Sequence, residues 1–361
     1  MARTPVSRVW RSAISGTPAL RSRVERMWYG PAGPLWLVPL SFLYGSVMAL
    51  RSLLYRLGLR HRVKVGVPVI VVGNLTVGGT GKTPLVAWLS NKLSAVGLRV
   101  AIVSRGYGGR ARGVTRVTVH SRASEVGDEP LMLARRAQAT VFVGRDRVAA
   151  AKQAVADGHD IVICDDGLQH LALVRHCEMV VIDGQRGFGN GCLLPRGPLR
   201  ESPRRLRRVN AVIVNGAASA PNFNLPRIVT RTHFAMHMRP GDARPVRGSG
   251  SLRSLSSFRG TSVRAVAAIG NPQRFFDTLR EAGLTLYEHP LPDHHPFKPG
   301  DLDFGDDLPI LMTEKDAVKC AAFADERCWY VPVTAEFAES EAEQLVELVL
   351  ARAASFKTQV Q

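Results

Sequence analysis

The chain has 361 residues, 45% of them hydrophobic, with 48 Lys+Arg against 30 Asp+Glu and a formal charge of +18. That apolar share excludes a mainly disordered basic protein, and the length suggests two domains. Five scattered cysteines with no CxxC pair exclude a disulfide framework and a zinc or thioredoxin-type motif, and they suit a reducing compartment.

The charge is unevenly placed. Residues 1–64 carry eleven Lys/Arg against Glu25 alone, and residues 186–208 carry seven arginines against Glu201, so the two stretches hold 16 of the 18 excess charges. Two local basic surfaces call for an anionic partner: nucleic acid, an acidic membrane leaflet or a phosphorylated substrate.

Within the first stretch, residues 27–50 contain no charge, and prolines stand at 31, 34 and 39. A helix over 34–50 would be roughly 25 Å long, short of a hydrocarbon core of about 30 Å, with Pro39 a candidate kink. Leu50, Leu53, Leu54 and Leu57 then recur at helical spacing, while Arg51, Arg56 and Arg60 lie off that stripe. The pattern predicts a basic amphipathic helix seated in a membrane interface. A helix packed in the core or at a dimer contact is the alternative. A signal peptide fits poorly, because the basic lead is long and no A-x-A-like site follows.

Residues 67–72 form a β-branched run expected of a buried parallel strand. Gly73-Asn74-Leu75-Thr76-Val77-Gly78-Gly79-Thr80-Gly81-Lys82-Thr83-Pro84 follows, and then a helical pattern. Strand, glycine-rich turn, Lys-Thr and helix are the context of a phosphate-binding loop. Thr76, Val77, Gly78, Gly79, Thr80, Gly81, Lys82 and Thr83 are therefore the expected nucleotide-binding residues. Lys82 would reach the β- and γ-phosphates, and the Thr83 hydroxyl would ligate Mg²⁺. Thr76 stands where the common spacing wants glycine, so the loop is a variant. A second buried strand, 160–164, ends in Asp165-Asp166. Asp165 is the expected metal acid, and Asp166 an outer or substrate-side carboxylate.

Further strand-like runs at 99–103, 179–182 and 211–214, with helical patterns at 84–95, 130–137 and 146–156, predict an α/β fold: a parallel sheet core like that of the P-loop NTPases. The expected layout is a membrane arm over 1–64, a P-loop core over 65–215, a connection of limited structure over 216–262, and a smaller α/β domain over 263–361. In that last domain, strands are expected at 263–269 and 309–312, and helices near 273–282 and 335–354.

The segments GNLTVGGTGKTP (73–84), SRGYGG (104–109), GDEPLMLA (127–134), DDGLQH (165–170), DGQRGFGNGCLLPRGPLRE (183–201), AIGNPQRFF (268–276), PDHHPF (292–297) and LMTEKDAVKC (311–320) together resemble one family, the tetraacyldisaccharide 4′-kinases of lipid A biosynthesis. SRGYGG or TEKD alone would be weak evidence; the long 183–201 segment and the variant loop are specific. The resemblance implies transfer of the γ-phosphoryl of ATP, with Mg²⁺, to the 4′-hydroxyl of an acylated disaccharide 1-phosphate. It also implies a place on the cytoplasmic face of a bacterial inner membrane, at an anionic lipid surface.

By the same resemblance Asp128 is the base for the acceptor hydroxyl, although Asp before Glu129-Pro130 at a helix start reads equally as a cap. His294 is expected to pair with it, the choice between His294 and His295 staying open. Tyr107, Glu129, Asp166, Asn190, Arg200 and Glu201 fall on the substrate side, with Arg200 able to grip a phosphate as a fork. Arg204, Arg205, Arg207 and Arg208 are expected to face lipid head groups or solvent. The basic surfaces lack interleaved aromatics and any recognised nucleic-acid motif, which argues against a nucleic-acid partner. No obligate protein partner is signalled. A membrane-associated P-loop ATPase or GTPase acting as a chaperone or switch is the other reading.

Overall fold

The computed structural model describes residues 18–30, 33–220, 232–248 and 250–358. Arg3, Arg8, Arg11 and Pro31 of the basic arm, and residues 221–231 of the expected connection, lie outside them. A nine-stranded sheet forms the larger unit, in the order β14-β8-β7-β6-β1-β5-β2-β4-β3. Its centre consists of β1 (Val69–Gly73), β2 (Val100–Ser104), β5 (Ile161–Asp165), β6 (Cys177–Asp183) and β7 (Ala211–Asn215), buried at every position. Runs of Val, Ile and Cys without polar alternation suit strands covered on both faces. The seven strands from β8 (His233–Pro240) to β4 (Thr140–Val143) run parallel. The short β3 (Thr115–Val117) and β14 (Val333–Glu336) close the two edges antiparallel.

After β5 the chain crosses β1 to lay down β6, so the sheet reverses its direction of growth around β1. A ligand crevice is expected outside the carboxyl ends at such a switch point. Those ends carry Gly73, Asp165, Asp183 and Asn215, on four adjacent strands.

The 216–262 stretch holds more structure than its Gly, Pro, Ser and Arg content predicts. Its strand β8 alternates buried Phe234 and Met236 with exposed His233, Ala235 and His237, a period of two that joins it to the main sheet. The second unit is a five-stranded sheet, β11-β10-β12-β13-β9, with β9 (Arg244–Pro245) as its antiparallel edge. Its other strands are β10 (Ser262–Ala267), β11 (Thr285–Pro290), β12 (Ile310–Thr313) and β13 (Cys328–Val331). The chain then returns: β14 joins the main sheet, and the last helix, Glu339–Thr358, buries Leu345, Val349 and Ala353 in the core of the larger unit.

At the other end, the apolar arm is helical from Leu35, with a 3₁₀ turn followed by an α-helix, Val38–Arg56. Pro39 sits in the first turn, where proline needs no amide partner, so it starts the helix and does not kink it. At 22 residues the whole segment is longer than 34–50, and it is long and apolar enough to cross a membrane by length and composition alone. One side is laid on the core through Leu37, Ser41 and Gly45, whereas Trp36, Phe42, Leu43, Val47, Leu50 and Leu53 are exposed.

Leu345→Ala should lower unfolding stability by about 2–5 kcal/mol in urea titration, as for other fully buried leucines; a loss below about 1 kcal/mol would put the last helix outside the larger core.

Candidate active site

The turn after β1 leads into a helix, Lys82–Ala95, that no side chain caps. Its first amides therefore stay available to an anion, supported by the partial positive charge of the helix end. Gly81 precedes it at φ 94°, and a Cβ there would lie 2.4 Å from the Asn215 amide, so only glycine fits. Asn74 donates to the Gly78 carbonyl across the loop. The outer limb pairs with a distant segment: Val77 N donates to Pro198 O at 2.9 Å, and Arg200 N to Leu75 O at 2.7 Å.

That pairing brings Arg200 to the acidic turn. Its guanidinium holds both Asp166 oxygens at 3.0–3.1 Å, and Lys82 Nζ lies 3.8 Å from the same carboxylate. Burial alone would raise the Asp166 carboxyl, but Arg200, Lys82 and Arg147 together hold it well below the usual carboxylate range. Asp166 sits at φ 48°, left-handed backbone in a non-glycine residue. Arg147 fixes the turn by donating to the carbonyls of Asp165 and Asp166.

Asp165 is 1% exposed, and its Oδ1 has no hydrogen-bond partner among the described residues. Burial, followed by the charge of Glu129, pushes its carboxyl upward. A buried oxygen without a partner, at the end of a strand paired with the one that leads into the phosphate loop, fits the donor set of a hard divalent cation.

A second cluster joins the two units. Helix Asp128–Arg136 begins after Gly127, whose φ of 94° and 2.6 Å Cβ approach to Tyr107 O require glycine. Asp128 is 6% exposed; Oδ1 accepts the Glu129 amide, and Oδ2 lies 3.0 Å from Nδ1 of His294. Burial would raise this carboxyl, yet the His294 hydrogen bond and the charges of Lys315, His294 and Lys319 hold it well below the usual range. His294 has φ 60°, and the Tyr107 ring lies 4.8 Å from its own. His295 turns away to Asp301 Oδ2 at 2.9 Å, so His294 is the partner of Asp128.

The second unit also presses on the phosphate loop from the other side. A Cβ on Gly270 would fall 2.6 Å from Gly79 N. Around this contact Arg186 donates to Gly270 O, Arg274 to Asn215 Oδ1, and Asn215 to Thr80 O.

The expected residues thus gather at the crevice, with differences. Thr76, at the position where the common spacing wants glycine, is buried, and its backbone forms an antiparallel bridge with Leu199. Glu201 accepts from Gln169, beside Arg200. Asn190 spends its amide on Met27 O, Arg196 O and Cys192 N, bracing the arm. Arg205 does not face solvent: it is ion-paired with Glu178 and Glu201, while Arg204, Arg207 and Arg208 are exposed. Lys315, Lys319, Asp293 and Arg274 were absent from the sequence expectation. The one signal for the lysines was the i,i+4 spacing within TEKDAVK.

A family model described as tetraacyldisaccharide-1-P 4′-kinase matches residues 34–352. A tetraacyldisaccharide 4′-kinase of Alkalilimnicola ehrlichii is 51% identical over 94% of this chain and 98% of its own length. One from Methylobacillus flagellatus is 47% identical over 90% and 94%. The crystal structure of LpxK from Aquifex aeolicus in complex with ATP superposes with a TM-score of 0.73 at 27% identity, covering 88% of this chain and 98% of that one.

Gly270→Ala should weaken nucleotide binding about tenfold, the equivalent of about 1.4 kcal/mol, because the methyl must displace the Gly78-Gly79 backbone. Titration with a fluorescent nucleotide checks it, and unchanged affinity would mean the second unit does not shape the loop.

Proposed function

The chain belongs to the tetraacyldisaccharide-1-phosphate 4′-kinase family, and we propose that it transfers the γ-phosphoryl of ATP to the 4′-hydroxyl of a tetraacyldisaccharide 1-phosphate, a lipid A precursor, with Asp128 as base. The observation that carries the base assignment is the pairing of His294 with buried Asp128, next in the chain to Glu129, whose charge acts on Asp165 and Arg200 at the acidic turn.

The acceptor oxygen forms a bond to the γ-phosphorus as the β–γ bridge breaks, leaving ADP, and its proton passes to Asp128. Asp128 is positioned for this step, fixed on both oxygens by the Glu129 amide and His294. The free amides of the Lys82 helix and the Lys82 ammonium bind and orient the phosphates. Thr83 and Asp165 would hold Mg²⁺, which when bound neutralises charge on the β- and γ-phosphoryl groups. Arg200 and Asp166 lock each other beside Lys82, and Tyr107, Glu129 and Glu201 line the acceptor side.

The exposed apolar face of the Val38–Arg56 helix, with basic residues toward its end, supports peripheral attachment to an acidic membrane leaflet, the cytoplasmic face of the bacterial inner membrane. One side of that helix is bound to the core, which favours a helix lying in the interface over one that spans. A tetraacylated lipid is thereby met in the plane where it resides.

Radiolabel from the γ-phosphoryl of ATP should appear in purified disaccharide 1-phosphate presented in detergent. Label released only as inorganic phosphate would favour an ATPase switch. Asp128→Asn should cut kcat about 10²–10⁴-fold while ATP affinity stays within about threefold, and near-normal turnover would reject Asp128 as base. Trp36→Asp with Phe42→Asp, at positions 72% and 77% exposed, should leave the fold intact and release the protein from acidic vesicles in sedimentation. Undiminished co-sedimentation would contradict attachment through this face.

A further inference from the structure

Helix Glu314–Cys320 belongs to the second unit and packs on helix Asp128–Arg136 of the first. Thr313 caps it by accepting from Asp316 N. Each following polar side chain has a definite task. Glu314 pairs with Arg136 at 3.2 Å. Asp316, wholly buried, accepts from Ala268 N and Thr313 Oγ1, fixing the end of the chain leaving β10. Ala268 O in turn accepts from His294 N, so the helix also fixes the backbone that carries the histidine. Lys319 links Asp316 at 2.9 Å to Asp128 at 3.6 Å.

Lys315 stands at the centre. Its Nζ lies 3.0 Å from Glu129 Oε1 on the first unit and 3.1 Å from Asp293 Oδ1 on the second, 4.0 Å from Asp128 Oδ2, and 3.3 Å from His294 Nε2. Burial opposes a charge here, but Glu129, Asp293 and Asp128 hold the ammonium well above the ordinary lysine range. A lysine ammonium has donors only. A ring nitrogen facing it at hydrogen-bond distance must accept.

We propose that Lys315 is a positioning residue for phosphoryl transfer: it clamps Glu129 to Asp293 across the two units and, by donating to Nε2 of His294, sets the ring's tautomer, so that Nδ1–H is the donor to Asp128. This rests on the reading of Asp128 and His294 as the proton-handling pair. The groups facing the ring are Asp128 on one helix, Lys315 on another, Asp293 beside it in the chain, and Tyr107 from the 104–109 loop. Asp293 Oδ1, the carboxylate oxygen placed near Nε2 among the described residues, lies at 3.7 Å, beyond hydrogen-bond reach, whereas the ammonium at 3.3 Å is within it.

The consequence is specific. With the proton on Nδ1, Asp128 receives one donor on each oxygen and keeps lone pairs for the acceptor hydroxyl. With the proton on Nε2, Nδ1 would present a lone pair to a carboxylate and the pair would part. Since Lys315, Asp293 and His294 travel on the same unit, the grip on Glu129 brings a correctly protonated ring to Asp128 only when the two units are docked.

The test is a nitrogen-15 spectrum of full-length protein labelled in the histidine rings, with the His294 signals assigned by their loss in His294→Gln. In the wild type the proton should sit on Nδ1 with Nε2 bare. Lys315→Met should move it to Nε2 or give an average of the two forms, and should lower kcat about 10–10²-fold with ATP affinity within about threefold. Lys315→Arg, which keeps donors and charge, should restore the wild-type ring and recover kcat to within about tenfold. A wild-type proton on Nε2 overturns the proposal without any variant, and so settles the matter even if Lys315→Met does not fold. Ring signals unchanged in Lys315→Met overturn it whatever the turnover. Normal turnover of Asp128→Asn would instead refute the proton-handling pair while leaving the expected ring spectrum intact, so the two readings fail separately.

Discussion

Two backbone hydrogen bonds join parts of the chain that lie more than a hundred residues apart: Val77 to Pro198 and Arg200 to Leu75. A phosphate loop is a turn of glycines with little conformational restraint of its own, and its outer limb needs a partner to hold one shape. Here that partner is the arginine-rich segment. Once 198–200 is paired to the loop, Arg200 has little choice but Asp166, Asp166 is held beside Lys82, and the buried Asp165 is fixed one residue away. The same segment reaches outward. Trp28 donates to Pro195 O, Ser41 to Leu193 O, and Tyr44 to Arg200 O. Arm, arginines and loop therefore form one mechanical piece.

The second unit is bound by a different force. Removing one partner of a buried ion pair costs about 3–5 kcal/mol in proteins, and in the docked molecule Asp128 is buried. Lys315 and Lys319 arrive from the smaller unit to neutralise it. Further pairs cross this seam, Lys315 with Glu129 and Arg136 with Glu314, and Val318 of the same helix joins the apolar core of the larger unit. The groups that close the seam are also those that surround the Asp128 carboxylate.

Much of this was legible in the residues because it is local. Unbroken β-branched runs gave the central strands, Gly-Lys-Thr after a strand located the loop, and a strand ending in two aspartates supplied the acidic turn. What periodicity could not reach was partnership over distance. The choice between His294 and His295 depended on which side of a left-handed turn each fell. Arg205 read as a surface charge until Glu178, far along the chain, lay next to it. Strand β8 was hidden in a Gly- and Pro-rich neighbourhood, although its alternation of Phe234, Met236 and Met238 was present all along. The last strand and helix cross back to the larger core, where Leu345 and Val349 are covered. The lysines of helix Glu314–Cys320 look like an ordinary solvated face until the opposing acids are in place.

The splice between the arm and the 189–200 segment has a geometric corollary. Gly33 and Gly189 allow backbone to touch backbone there, against Arg196 O and Trp28 O. If the helix lies in the lipid interface, the reaction centre stands at a set altitude above it, as on a surveyor's staff. An acceptor hydroxyl carried at the wrong elevation, by a head group one sugar longer or shorter, would be out of register with Asp128 even if every contact to its phosphate were kept. Selectivity for a disaccharide would then be a matter of vertical reach, decided by where the acyl chains are rooted and not by a pocket wall.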